Sequence, residues 1–156
     1  MFLYFSRDVV QKWEVVCNQV KDYRMTLDFI EDIEFTSNHP ILLDYIEPTI
    51  ELYFYGDSID VNKVIGELLI EHQKVTDNWI EFQHYINGSI KWLFEQGQGL
   101  LAKGPESITN AYQKVLARNH IKTSVLKHNQ TQEESTAIIF GKSFIISNDV
   151  EFKRIL

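Results

Sequence analysis

One cysteine, Cys17, excludes any disulfide within this chain, and no dense block of lysine and arginine occurs anywhere in it. Folding must then rest on burial alone. At 156 residues a domain removes roughly 68–70% of its unfolded surface from water, so neither a disulfide nor a structural metal is required. A lone thiol suits a reducing compartment, and the expected location is cytoplasmic. No stretch reaches roughly 18 apolar residues free of charge, the length a spanning helix needs. The opening "MFLYFSRDVVQKW" meets Arg7 and Asp8 too early for a secretory leader. A membrane is therefore not an expected partner.

Positive charge is scarce as well: 15 basic against 22 acidic residues leave a formal charge of -7. That field repels phosphate backbones. The cation-bearing tracts "KWLFEQGQGLLAKG", "KVLARNHIKTSVLKH" and "FKRIL" lack the interleaved aromatics of a single-strand platform. Nucleic acid is not an expected partner.

Catalytic signatures are missing too. The histidines His39, His72, His84, His120 and His128 form no H-E-x-x-H and no Cys/His ligand cluster, so no metal is expected. Gly97, Gly99 and Ala102 stand at G-x-G-x-x-A spacing, which in a dinucleotide fingerprint follows a strand and opens a helix. Here Pro105 would interrupt that helix after about one turn. The acid expected roughly 20 residues on is absent from "RNHIKTSVLK". No phosphate loop occurs either, because Pro105 and Glu106 stand where its Lys and Ser/Thr belong. No cofactor is expected.

What remains is ample hydrophobic material, 44% of residues, with 13% aromatic. "MFLYF" reads as a strand, and Ser6 could cap a helix through about Tyr23, with Val10, Trp13, Val16, Cys17 and Val20 as its stripe. "MTLDFIEDIEFTS" suits a half-exposed strand. Pro40 and Pro48 break the next segment into a connection with a short extended or helical piece. "TIELYFYG" alternates most clearly: Ile50, Leu52 and Phe54 take one face, Glu51, Tyr53 and Tyr55 the other.

A helix is predicted over about Asp60 to Val75, with Val61, Val64, Ile65, Leu68, Leu69 and His72 on one flank. Another is expected from about Trp79 toward Gly88. "GLLAKG" reads as a strand turning at Gly104, with Pro105 in the first turn of a helix whose stripe is Ile108, Ala111, Tyr112, Val115 and Leu116. "IKTSVLK" is extended, and "TAIIF-GK-SFIIS" reads as a hairpin. Strand, turn, helix and extended segment recur three times, from "FLYFSRD", "ELYFYGDS" and "GLLAKGPES". The rhythm predicts one α+β domain over residues 1–156: a two-layer α/β sandwich of mainly antiparallel sheet with helices on one face. The ferredoxin-like arrangement is its commonest small example.

Three sets of residues are candidate sites. His72, Trp79, Phe82, His84, Tyr85 and Trp92 combine rings with imidazoles, the makeup of a small-molecule pocket; at helical spacing, such rings also build cores. Lys103 and Gly104, with the free N–H groups of the following helix, could receive a small anion. Tyr53 and Tyr55 would bear a partner face if helices cover only the opposite side. Cys17, on an apolar flank, reads as a buried thiol, and Glu67 with Glu71 reads as an exposed charge ladder beside Lys63 and Lys74. The leading expectation is a non-catalytic accessory or regulatory protein that binds a protein partner or forms a homodimer. The alternative is a small-molecule-binding domain or small enzyme using the aromatic set with a histidine.

Overall fold

The computed structural model describes residues 2–7, 9–26, 32–57, 59–128 and 134–155. In chain order the elements are β1 (Phe2–Arg7), β2 (Val9–Arg24), β3 (Glu34–Thr36), α1 (Leu43–Ile46), β4 (Thr49–Tyr55), α2 (Val61–Thr76), α3 (Ile90–Gln96), β5 (Gln98–Pro105), α4 (Glu106–Arg118), β6 (Lys122–His128), β7 (Thr136–Phe140) and β8 (Ser143–Arg154). They fall into two compact units, Met1–Leu42 with Glu133–Leu156, and Leu43–Gln132.

The first unit is an antiparallel sheet in the order β1-β2-β8-β7-β3. Its centre corrects one expectation: residues 9–24 are a strand rather than a helix. Val15, Val16 and Val20 are β-branched and lose side-chain freedom in a helix, and "VEFKR" prolongs β8 far enough to pair with them, Cys17 opposite Val150 and Trp13 opposite Arg154. The helical spacing is an imitation. Gln19 takes a left-handed φ of 52° and the register shifts between Val20 and Asp22. One extra residue there breaks the two-residue alternation, as a bulge does. Among the described residues of the segment read as a half-exposed strand, Glu34–Thr36 is one; residues 27–31 lie outside the described set.

The hairpin β7–β8 turns at Gly141 with φ 59°. Val15, Ile138, Phe140 and Ile145 form one buried cluster of this unit. Phe35 of β3 meets Phe152 of β8 edge to face at 4.6 Å. Through β7, Phe35 is in register with Ile138 and so with Ile145, seven positions from Phe152. That is roughly 23 Å along a strand, so the sheet curls.

The second unit is the sandwich. Its three-stranded sheet has the order β5-β4-β6, with β4 antiparallel to both neighbours. Strands β5 and β6 are therefore parallel, joined by α4 across the antiparallel β4: a split β-α-β unit, the element from which ferredoxin-like sheets are also built. The alternation of β4 is realised, with Ile50, Leu52 and Phe54 all buried beneath the helices. Each such side chain taken from water contributes about 1.5–3 kcal/mol.

Asp60 caps α2, its carboxylate accepting from the Lys63 N–H at 3.2 Å, and Asp77 and Asn78 stop it in left-handed conformation. Its buried positions are Val64, Leu68, His72 and Thr76, a four-residue repeat; Leu69 is exposed. The α4 stripe is buried as its spacing requires, at Ile108, Ala111, Tyr112, Val115 and Leu116.

The expected helix from Trp79 shrinks to a single tight turn, Phe82–His84. Beyond it the chain turns extended and lies along the outer edge of β5, with Asn87 N–H donating to the Leu101 carbonyl at 2.8 Å and Lys103 N–H to that of Tyr85 at 3.0 Å. "IKWLFEQ" is helical instead.

Candidate functional site

The glycines of "GQG" belong to a helix end and a strand. Gly97 closes α3 in left-handed conformation, φ 74°, and Gly99 already lies within β5. No helix opens after Gly99, so there is no set of free N–H groups for a pyrophosphate at that point.

Gly104 also departs from expectation. It lies inside β5 without a positive φ, and it is glycine because the Tyr85 ring sits on it; a Cβ there would come within 2.9 Å of Tyr85 Cγ. Lys103 is not a free cation: its Nζ lies 3.0 Å from Glu51 Oε1. The anion position at the start of α4 is filled by the chain itself, since Glu47 Oε2 accepts the Ser107 N–H at 2.7 Å. A carboxylate at a helix N-terminus satisfies an otherwise unpaired donor and the helix dipole together. Sequence offered no sign of this contact, which spans 60 residues.

Of the aromatic set, His72, Phe82 and Tyr85 come together, exposed His84 meets Tyr85 edge to face at 4.7 Å with Nε2 3.6 Å from Asp44 Oδ2, and Trp92 stands in solvent. Trp79 is half-buried at the turn after α2. Phe82 meets His72 at 5.6 Å and Tyr112 at 6.1 Å between ring centroids. The His72 ring is held at both nitrogens. Nε2 lies 2.8 Å from the Ile80 carbonyl oxygen, which can only accept, so Nε2 carries the proton and Nδ1 accepts from the Tyr112 hydroxyl at 2.8 Å. Burial pushes the imidazole below its usual range and raises both Tyr112 and Tyr85 above theirs. The Tyr85 hydroxyl donates to Asp44 Oδ2 at 2.8 Å. The partners of His72 and Tyr112 describe a satisfied polar pair inside an apolar core, while the Tyr85 hydroxyl reaches the half-exposed Asp44 carboxylate at its rim.

Two surface depressions of about 320 and 330 Å³ adjoin α2 and the end of α4, sharing Lys63, Arg118 and Asn119, and neither is bordered by the aromatic set. The cations they share are paired locally, Lys63 with Glu67 at 3.9 Å and Arg118 with Glu71 at 3.3 Å, and Asn119 donates to Glu67 at 2.8 Å. Glu71 also meets Lys74 at 3.0 Å, so the two glutamates form the expected charge ladder. Cys17 lies on β2, half-buried, and burial raises its thiol pKa. A raised thiol holds little thiolate and is a poor nucleophile.

The open face of β4 is different. Glu51, Tyr53 and Tyr55 project away from the helices, beside Leu126, Ser124 and Lys122 of β6 in register. Tyr55 is 48% and Leu126 52% exposed. Tyr53 is half-buried, its hydroxyl donating to Glu51 Oε2 at 2.9 Å. Glu51 also faces His128 Nε2 at 3.2 Å. The Lys103 hydrogen bond, then that of Tyr53, holds Glu51 below the usual carboxylate range, and the carboxylate in turn raises Tyr53.

No protein-family model, characterised protein or solved structure matches this chain. No helix among the described residues is long and apolar enough to cross a membrane.

Proposed function

We propose that the chain acts without catalysis, by binding another protein through the open sheet face of its second unit. The observation that carries this reading is the pairing of one buried and one open side on β4: Leu52 and Phe54 fully buried, Tyr55 and neighbouring Leu126 about half exposed. Rings and aliphatic surface left in water around a fixed polar centre, here Glu51 with Tyr53 and Lys103, are what a partner surface uses for contact area and orientation. The small-molecule reading has less support, because its rings pack on His72 and Tyr112 rather than around an opening.

A photo-crosslinking residue placed at position 55 tests it, with the exposed position 110 of α4 as control. The reading requires a defined crosslinked species from 55, absent from 110 and lost on Leu126→Ser, with the unfolding midpoint unchanged. Equal, diffuse labelling from both positions would end it.

A further inference from the structure

We infer that the partner, if binding uses this sheet, is an acidic extended segment that adds to it along β6; the inference thus rests on the proposed function. The sheet has two edges and the chain treats them differently. Along β5, Tyr85–Asn87 occupies the edge through the backbone bonds of Lys103 and Asn87 and a bridge between Ile86 and Ala102. Among the described residues strand β6 is the other edge, and five of its seven residues are exposed, including Val125 and Leu126 at 52% each. Alternate residues of an edge strand turn their N–H and C=O groups outward, so the matching occupant is another extended backbone.

Charge selects which backbone. In a chain of formal charge -7, "KTSVLKH" carries Lys122, Lys127 and His128 and no acid. A second copy offers these lysines no acid: full-length antiparallel pairing of β6 with itself sets Lys122 against His128 and Lys127 against Thr123, and parallel pairing sets lysine against lysine. Like charges directly opposite destabilise a strand pair, and edge lysines are a common means of preventing self-association. Those same lysines attract carboxylates. Lys122 and Lys127 are five positions apart and so lie on opposite faces of the strand, with Val125 and Leu126 between them. Lys127 now rests on Glu106 at 3.1 Å, a half-exposed pair that an incoming acid can exchange. The matching segment has acids five positions apart and β-branched residues between.

The test uses the full chain and a short peptide with glutamates at that spacing around valine and threonine, beside a copy with lysine for each glutamate. Amide exchange is read residue by residue. The glutamate peptide should protect alternate amides within 122–128 and bind about tenfold more tightly than the lysine peptide, a difference worth about 1.4 kcal/mol. Lys122→Glu should erase that preference while leaving the unfolding midpoint in place; Lys122→Gln, neutral and safe for folding, should reduce it. Equal binding of the two peptides, protection confined to other strands, or protection of β6 that rises with protein concentration alone would each overturn the inference. A specific crosslink from position 55 with unprotected β6 amides would overturn it too, leaving partner binding through the face intact.

Discussion

Tyr85 lies directly over Gly104, with its hydroxyl donating to Asp44 at 2.8 Å. One aromatic ring thus joins α1, the segment beside β5 and the strand itself. Gly104→Ala forces a methyl into the ring and should destabilise by about 1–3 kcal/mol, the usual cost of overpacking. Denaturant unfolding reads this directly. Gly66→Ala is the control: a Cβ there meets nothing within 4 Å, so in mid-helix α2 it should stabilise by about 0.5–1 kcal/mol.

His72 predicts a pH dependence with a definite sign. Its folded pKa lies below the ordinary 6.5, so in this range the unfolded state binds more protons. The stability contributed by the neutral ring is complete above 6.5 and is lost as pH falls from there through the folded value. Urea midpoints should decline below pH 6.5, before the lowered carboxylates Glu51 and Glu71 begin to lose theirs below 4.5. His72→Gln should flatten the upper part of that curve; an unchanged slope would place its cause elsewhere.

Glu47→Ala removes the carboxylate that receives the Ser107 N–H. A lost acceptor at a helix start costs on the order of 1 kcal/mol. The loss should be greater at low than at high salt, since screening weakens the dipole part. Thermal unfolding at two ionic strengths would show it.

Tyr55→Ser changes a half-exposed ring, so folding stability should move by no more than about 0.5 kcal/mol. Partner binding through the face should fall by about tenfold or more, as when an interfacial aromatic is removed. Stability falling while binding holds would assign the ring to the fold.

Local rules make the sandwich legible where one pattern meets one environment. Ile50, Leu52 and Phe54 alternate because one side of β4 is covered, and Ile108 through Leu116 repeat because α4 lies flat on it. Residues 9–24 mislead because apolar residues fall at both odd and even positions, Trp13, Val15 and Cys17 against Val10, Val16 and Val20, so their spacing matches a helix while pairing with β8 fixes a strand. The segment from Trp79 misleads for another reason: Asp77 and Asn78 end α2, and residues 85–87 beyond the tight turn are shaped by the β5 edge rather than by their own periodicity. Gly104 resembles a turn residue because the ring that requires it is distant in sequence. The filled helix start at Ser107 is invisible for the same reason, since Glu47 is 60 residues away. The tyrosine face can be read from alternation, whereas the contrast between one occupied and one open edge cannot.

The insertion of Leu43–Gln132 within the other unit gives synthesis a direction. Everything that β4 needs has left the ribosome once residue 128 emerges, and that part can close on itself while the remainder is still being made. Strand β2, translated well before β8, must wait for it, since their residues pair across more than a hundred positions. Closing so long a loop is slow, so during translation the first unit's longest strand is the one exposed to premature association.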